Sequence, residues 1–227
     1  MTASSTPAVA DRRALQWQCL TVGPLGENCY LLNDPAAGVA VLVDPGDEPE
    51  RLLQAVAATG CALQAIWLTH AHFDHLGAVA AILRACPVPV HMHPLDAPLY
   101  AMASTSAARW GITIEAPPGP TQPLAEGGTI ACGGHAFQIW HLPGHAPGHV
   151  AFIGETLCIS GDLLFAGSIG RTDLPLCDPQ AMHHSLGRLA TLPPHLQVLC
   201  GHGPITTIGR ELETNPFLRG LARPIGA

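Results

Sequence analysis

The chain has 227 residues, with 10 Lys and Arg against 17 Asp and Glu, a formal net charge of −7, and 48% hydrophobic residues. This composition can bury a sizeable core, and it lacks the basic clusters with which proteins bind nucleic acid. No apolar run approaches the ~20 residues of a membrane span, and the first residues lack the apolar core of a secretory signal. We therefore expect a cytoplasmic protein with neither a nucleic-acid nor a membrane partner.

The chain is unusually rich in histidine. It has 13 His, together with 24 Gly and 22 Pro, and imidazoles in a chain rich in turns indicate loops that carry metal ligands. The eight cysteines are scattered singly, without a C-x-x-C pair. They are predicted to be reduced thiols that pack as small apolar side chains.

The first half of the chain alternates predicted strands and helices. Residues 1–13 are small and polar and are expected to form a flexible tail before a single domain of residues 14–227. Apolar runs bounded by turn residues predict strands at 16–22, 28–32, 38–44, 64–70 and 88–92. Apolar side chains at helical spacing predict helices at 49–59, 75–85 and 95–103.

The second half repeats this theme after an irregular connection at 104–128. Strands are predicted at 129–132, 136–142, 149–154, 156–160 and 196–200. Helices are predicted at 179–191 and 208–218. Because each half offers several strands followed by strand-helix units, we expect two sheets packed together with helices outside.

The most specific feature of the sequence is the string HAHFDH at residues 70–75. A shuffled chain of this composition would contain an H-x-H-x-D-H pattern with a probability of about 0.002. His70 and His72 are two apart, so an extended backbone points both imidazoles the same way, while Asp74 and His75 can turn toward a second position. These ligands exceed what one tetrahedral ion with an open position takes from one segment, so the string predicts two metal ions.

Three residues that follow predicted strands are candidates to complete the site: His145 in LPGHAPGH, Asp162 in ISGDLLF and His202 in VLCGHGP. Each also has an ordinary explanation, as a turn residue, a strand terminator or an exposed loop residue, and Asp74 could cap a helix. Taken together with residues 70–75, they predict a metal centre with ligands from several loops.

Three further residues could support this centre. Asp44, in VDPG, could orient a ligand imidazole or form a turn, and His149 could act behind the ligands. Arg171 could bind a substrate carboxylate or pair with Asp173. The other histidines lack ligand-like spacing and are predicted to be structural: His91, His93, His135, His141, His183, His184 and His195.

These motifs resemble the metallo-β-lactamase superfamily and, within it, the glyoxalase II-like hydrolases. The resemblance runs through ENCYLL, VDPG, THAHFDHLG, LPGHAPGH, SGDLLFAGSIGRTDLP, GHGPITTIG and ETNPFL, which together span nearly the whole chain. It implies an α/β fold, an αββα sandwich of two mixed β-sheets flanked by helices, with the metal site on one edge of the sheets. Carried over by position, it implies His70, His72 and His145 as ligands of the first metal, Asp74, His75 and His202 as ligands of the second, and Asp162 as the bridge.

The expected reaction is hydrolysis of a small-molecule thioester, such as S-lactoylglutathione to lactate and glutathione, by a hydroxide that bridges two divalent cations. Asp74 is the candidate to take the proton released when the nucleophile forms, and Arg171 is the candidate substrate ligand. Zinc is the expected metal, with iron or manganese as alternatives.

Other functions are compatible with the same residues. An iron-dependent persulfide dioxygenase would use one iron held by two His and one Asp, and the GHGP segment around His202 favours the hydrolase because it supplies a ligand for a second metal. A lactonase and a non-catalytic metal-binding protein are the remaining alternatives. A structural zinc site needs only four closed ligands, so seven candidate ligands favour an enzyme.

Overall fold

Two six-stranded sheets form the centre of the structure, a computed structural model that describes residues 14–120 and 122–226. The predicted tail at residues 1–13 lies outside the described residues. The first sheet contains β1 (Gln16–Val22), β2 (Glu27–Asp34), β3 (Val39–Val43), β4 (Ala62–Trp67), β5 (Val90–Met92) and β6 (Gln122–Pro123), side by side in chain order.

The first sheet is mixed because its two halves are connected differently. β1, β2 and β3 form an antiparallel meander, whereas β3 to β6 pair in parallel. Parallel neighbours need a crossover, and the helices that provide it are α1 (Pro49–Ala58), α2 (Val79–Ala85) and α3 (Ala97–Arg109).

The second half of the chain contributes eight strands, of which six form the second sheet in the order β14-β13-β10-β9-β8-β7. They are β7 (Thr129–Cys132), β8 (His135–His141), β9 (Val150–Ile153), β10 (Leu157–Gly161), the separate hairpin strands β11 (Leu164–Phe165) and β12 (Ser168–Ile169), β13 (Gln197–Cys200) and β14 (Thr206–Thr207). The parallel pair β10 and β13 is joined by a crossover that contains α4 (Pro179–Leu189), and α5 (Ile208–Thr214) follows β14.

The sheets are buried on both faces, which explains the apolar runs of the sequence. On adjacent positions of β2, Leu31 packs in the cluster formed with α1, α2 and α3, and Leu32 packs between the two sheets. Trp67 lies at the centre of that inner layer, with its ring centroid 5.6 Å from Phe137 and 5.3 Å from Phe152. A third cluster joins the second sheet to α4 and α5. The layers are therefore helix, sheet, sheet and helix, and the predicted αββα sandwich is confirmed.

Some predicted elements differ in extent. α3 continues to Arg109, six residues beyond its predicted end, because Ala103 and Ala107 keep a buried face through the first residues of the predicted irregular connection. The strand predicted at 64–70 ends at Trp67, and the helix predicted at 75–85 begins at Val79. Residues 73–75 form a separate 3-10 turn. No helix in the described ranges has the length and apolar character needed to cross a bilayer.

Candidate metal centre

The predicted ligands lie where strands of both sheets end at a shared edge. The segment 70–75 follows β4, His145 follows β8, Asp162 follows β10 and His202 follows β13. Backbone hydrogen bonds hold the two edges together, with the amide of Val150 donating to the carbonyl of Thr69 at 2.8 Å. Residues from distant parts of the sequence therefore meet at one place.

The first group of potential ligands consists of three imidazoles. The donor atoms of His70, His72 and His145 all lie within 4.8 Å of one another. Nδ1 of His72 is 2.8 Å from Nε2 of His145, so these two nitrogens point at the same small volume. Three converging imidazoles leave room for a further ligand of a tetrahedral ion.

The second group contains Asp74, His75 and His202, whose donor atoms also lie within 4.8 Å of one another. The carboxylate of Asp162 lies between the groups. Its Oδ1 is 3.4 Å from Nε2 of His75, and its Oδ2 is 3.4 Å from Nε2 of His145 and 3.7 Å from Nε2 of His202. A carboxylate in this position faces both groups, as a bridging ligand must.

Three atoms of these groups are buried without a hydrogen-bond partner in the described structure: Nε2 of His70, Nε2 of His75 and Oδ1 of Asp162. Buried polar atoms without partners cost free energy, and these all point into the space between the groups. A divalent cation would satisfy them. Imidazole and carboxylate donors suit zinc, iron and manganese, so the residues present fit two such ions.

One carboxylate, that of Asp44, orients two of these imidazoles. It follows β3 and accepts hydrogen bonds from the Thr69 amide at 2.7 Å, the Thr69 hydroxyl at 2.6 Å and Nδ1 of His75 at 3.1 Å. The Thr69 hydroxyl oxygen in turn lies 3.0 Å from Nδ1 of His70. Because this hydroxyl donates its own hydrogen to Asp44, it accepts a hydrogen bond from Nδ1–H of His70. Both rings are thereby protonated on Nδ1 and present Nε2 to the centre. Of the two alternatives for Asp44, the structure places it as the orienting group.

His145 is held by the backbone of a loop in the second half of the chain. Its Nδ1 donates to the carbonyl oxygen of Arg171 at 2.8 Å, which leaves the lone pair of Nε2 facing the centre. The Arg171 guanidinium forms a two-point ion pair with Asp173, at 2.6 and 2.9 Å. Arg171 therefore supports the site through its main-chain carbonyl, and its side chain forms the ion pair that was one of the two alternatives predicted for it.

A family model described as the Metallo-beta-lactamase superfamily matches residues 22–202. The chain belongs to the metallo-beta-lactamase superfamily. It is 37% identical over 213 residues to a probable metallo-hydrolase, YqgX, of Bacillus subtilis (strain 168), covering 92% of this chain and 100% of the relative. A "Hydroxyacylglutathione hydrolase GloC" of Haemophilus influenzae is 35% identical over 206 residues, or 88% of this chain and 97% of the relative.

A crystal structure described as TTHA1623 in a di-iron-bound form is similar to this chain in both sequence and fold. It is 53% identical, with a TM-score of 0.82, and the match covers 88% of this chain and 100% of that one. That protein binds two irons in the crystal, and this chain shares its fold.

Three residues also shape the candidate metal centre, although the sequence analysis gave them no role in it. Asp96 is fully buried and accepts hydrogen bonds from the amide of Ala71, at 2.9 Å, and from that of Gly148, so it ties two ligand loops together. Thr69 connects two imidazoles to one carboxylate, and buried Glu27 lies 3.7 Å from Nδ1 of His75. Glu27 and Thr69 belong to the ENCYLL and THAHFDHLG segments of the family resemblance, whereas the sequence offered no signal for Asp96.

His149 lies behind the potential ligands, as expected from its place near His145. Its Nε2 accepts a hydrogen bond from the amide of Asp162 at 3.2 Å, and its ring stacks on His70 with centroids 5.1 Å apart. None of the seven histidines predicted to be structural belongs to a group of potential metal ligands in the described ranges.

The electrostatics of the site give His70, His72 and Asp162 the protonation states of ligands, whereas the burial of His75 and His202 is outweighed by facing carboxylates, which raise the pKa of both. Burial, reinforced by neighbouring imidazoles, lowers the pKa of His70 well below its usual value and the pKa of His72 to about 3, so both rings are neutral. Burial raises the pKa of Asp162, but the facing His75 and His145 offset this effect and bring the pKa below its usual value. Neutral imidazole and ionised carboxylate are the forms that bind metal.

A cavity of about 870 Å³ leads from the surface to this centre. Its inner end is lined by His72, Asp74, His145, Asp162 and His202. Its walls are one face of α3 on one side and, on the other, the β11–β12 hairpin with the loop that contains Arg171. A small-molecule substrate can therefore reach the donor atoms from one direction.

Proposed function

We propose that this protein is a dinuclear metal-dependent thioester hydrolase of the glyoxalase II type, which converts S-lactoylglutathione to lactate and glutathione. The observation that carries the proposal is the position of Asp162 between two groups of three potential ligands, at the inner end of a cavity. The named activity of the Haemophilus influenzae relative supports the substrate class.

In this proposal His70, His72 and His145 would hold the first ion, Asp74, His75 and His202 would hold the second, and Asp162 would serve both as the bridging ligand. Bound divalent cations supply a Lewis acid that polarises a carbonyl and lowers the pKa of water. Zinc is the proposed metal, and iron is the alternative that the di-iron neighbour supports. The protein's own contribution is to fix the donors with Asp44, Thr69 and the Arg171 carbonyl.

Asp74 is the proposed proton acceptor. Burial raises its pKa, but His75 and His202 oppose this effect and bring the pKa below its usual value, so the carboxylate is ionised at neutral pH. Its Oδ2 lies 3.3 Å from Nε2 of His202, and its side chain lines the cavity. An ionised carboxylate at this position can take the proton that water releases as it attacks the thioester carbon.

A single-iron dioxygenase would leave Asp74, His75 and His202 without a ligand role, so their convergence favours the hydrolase.

The cellular location of the protein is part of the proposal as well. All eight cysteines are free thiols, which supports a reducing, cytoplasmic environment.

The test combines elemental analysis with a substrate panel on one preparation. We expect about two ions per chain, hydrolysis of S-lactoylglutathione, and loss of both metal and hydrolysis in His72→Ala and Asp162→Ala. His183→Ala, which changes an exposed histidine of α4, should leave both unchanged.

Three results would contradict the proposal. Thioester hydrolysis that survives unchanged in the metal-free Asp162→Ala protein would exclude the mechanism. Oxygen consumption with glutathione persulfide, or preference for a lactone, would retain the metal centre but assign it to a different reaction.

A further inference from the structure

The wall of the cavity that α3 forms changes from apolar to cationic side chains along the helix. Leu99, Met102, Ser106 and Arg109 line the cavity and recur at intervals of three and four residues, so they lie on one face of the helix. Leu99 is buried, whereas Met102 and Arg109 are exposed. Arg109 comes ten residues after Leu99, on the order of 15 Å further along the axis.

Arg109 lines this cavity and has no counterion among the described residues. Among the described residues that line the cavity the only cations are Arg109 and Arg171, and Arg171 is paired with Asp173. No carboxylate in the ranges 14–120 and 122–226 lies within ion-pair distance of Arg109, although Arg51, Arg84 and Arg188 each have one. A free guanidinium on a chain of net charge −7 marks the outer part of the cavity as a site for an anion.

We propose that Arg109 binds a carboxylate on the thiol portion of the substrate, at the mouth of the cavity. This inference rests on the proposed thioester hydrolysis, because it places the scissile carbonyl at the inner end, near Asp74 and Asp162. Methylene groups between the two ends would contact Leu99 and Met102. The substrate class is therefore an elongated thioester with an anionic thiol portion, rather than a small neutral thioester.

The number of cations favours a carboxylate over a chain of phosphates. A glutathione thioester carries two carboxylates and one ammonium at neutral pH, and a single guanidinium can bind one carboxylate in a two-point contact. A coenzyme A thioester carries several phosphate charges, and the described lining offers one unpaired cation for them. The cavity is thus matched to a peptide-like anion.

The test compares two thioesters with the same acyl group. S-lactoylglutathione is anionic, and the lactoyl thioester of N-acetylcysteamine is neutral. For Arg109→Gln we expect a roughly tenfold higher KM for the glutathione thioester with kcat little changed, since a contact with a part of the substrate that does not react stabilises ground and transition states alike. The neutral thioester should be hydrolysed as by the wild type, and Arg109→Lys should retain most of the affinity.

Arg210→Gln is the matched control, because it removes an exposed arginine of α5 that does not line the cavity. This variant should hydrolyse both thioesters with the KM and kcat of the wild type. An equal effect of Arg109→Gln on the two thioesters, or no effect on either, would overturn the inference while leaving the hydrolase intact. A lower KM for lactoyl-coenzyme A than for the glutathione thioester would overturn the carboxylate assignment.

A binding measurement separates this inference from the proposed reaction. S-hexylglutathione is a thioether, so it cannot be hydrolysed, and calorimetry reports its binding even if the wild type hydrolyses neither thioester. We expect Arg109→Gln to weaken its binding about tenfold relative to the wild type and Arg210→Gln. Equal binding by the three proteins, or no binding by the wild type, would overturn the role of Arg109.

Discussion

The Thr69 hydroxyl connects the carboxylate of Asp44 to the ring of His70. Replacement by valine keeps the branched shape but removes the acceptor of the His70 Nδ1 proton and one donor to Asp44. We expect Thr69→Val to weaken binding of the first metal by about 10- to 100-fold, because the ring loses the hydrogen bond that fixes its tautomer and orientation. Competition titration with a zinc chelator measures this loss.

Thr206→Val provides the control for Thr69→Val. Thr206 is also buried, and its hydroxyl donates to Glu211 at 2.5 Å, away from the potential ligands. Its loss should lower the free energy of unfolding by about 1 kcal/mol without changing metal affinity. Wild-type metal affinity in Thr69→Val would show that the ring needs no such hydrogen bond.

The ligand set could be predicted from the sequence because its signal is local. The string at 70–75 is too dense in His and Asp to be accidental, and His145, Asp162 and His202 stand in Gly-rich turns after strands. Asp96 gave no such signal. Its two hydrogen-bond donors lie 25 and 52 residues away, and an Asp before a helix is ordinarily a cap.

At the scale of elements, the turn after β13 must pass close to the potential ligands. A Cβ on Gly201 would overlap Oδ1 of Asp162 and lie 2.8 Å from Cε1 of His75. We therefore expect Gly201→Ala to displace the bridging carboxylate and to reduce the metal content from about two ions to one or none per chain. Elemental analysis after dialysis measures this change.

The matched glycine for this experiment is Gly187, within α4. Nothing lies within 4 Å of a Cβ at this position. Gly187→Ala should keep the wild-type metal content and stabilise the helix by roughly 0.5–1 kcal/mol. Full metal content in Gly201→Ala would contradict the tight packing of this turn.

Asp96 joins the short 3-10 helix after β5 to the loops that follow β4 and β8. Burial raises its pKa to about 6, although the amides of Gly148 and Ala71 and the nearby His141 oppose the shift. Because the pKa is higher in the folded protein than in the unfolded chain, the folded protein holds this proton more strongly. The contribution of Asp96 to stability is therefore greatest below pH ~4, falls as the pH rises from ~4 to ~6, and is lost above that range.

Asp96→Asn isolates this effect, since all other groups titrate in both proteins. We expect the stability of the wild type relative to Asp96→Asn to fall by roughly 2 kcal/mol between pH 4 and pH 7. Urea unfolding of the chelator-treated proteins at several pH values measures the difference. A difference that stays constant or grows with pH would contradict the raised pKa.

The sequence predicted the type of a helix or strand where the apolar periodicity was strong. It did not predict the residues at which these elements begin and end. α3 was predicted to end at residue 103 because the segment 104–128 is rich in Gly and Pro, which is typical of a connection. Burial of Ala107 against the first sheet keeps the first residues of that segment helical. The two-residue strands β6, β11, β12 and β14 had no detectable pattern, since two residues cannot show a period.

At the scale of the whole molecule, the two sheets supply different halves of the proposed metal centre. Residues 70–75 follow a strand of the first sheet, whereas His145, Asp162 and His202 follow strands of the second. The side chains of Asn28 and Tyr30, on β2, donate to the carbonyl of Cys200 on β13 and hold the edges in register. Ions bound at this edge would add coordination bonds to the hydrogen bonds that already connect the two sheets.

Metal binding should therefore stabilise the whole chain. An ion that binds the folded protein alone adds about 2.7 kcal/mol at a free concentration of 100 times Kd, and about 1 kcal/mol raises Tm by roughly 2–4 °C in a chain of this size. We expect chelation to lower Tm by at least about 5 °C and zinc to restore it, as calorimetry can measure. Asp162→Ala should lose this response while Thr206→Val keeps it, because only the former removes a group that faces both sets of donors. Identical melting of the chelated and zinc-loaded proteins would mean that the two sheets do not share a metal.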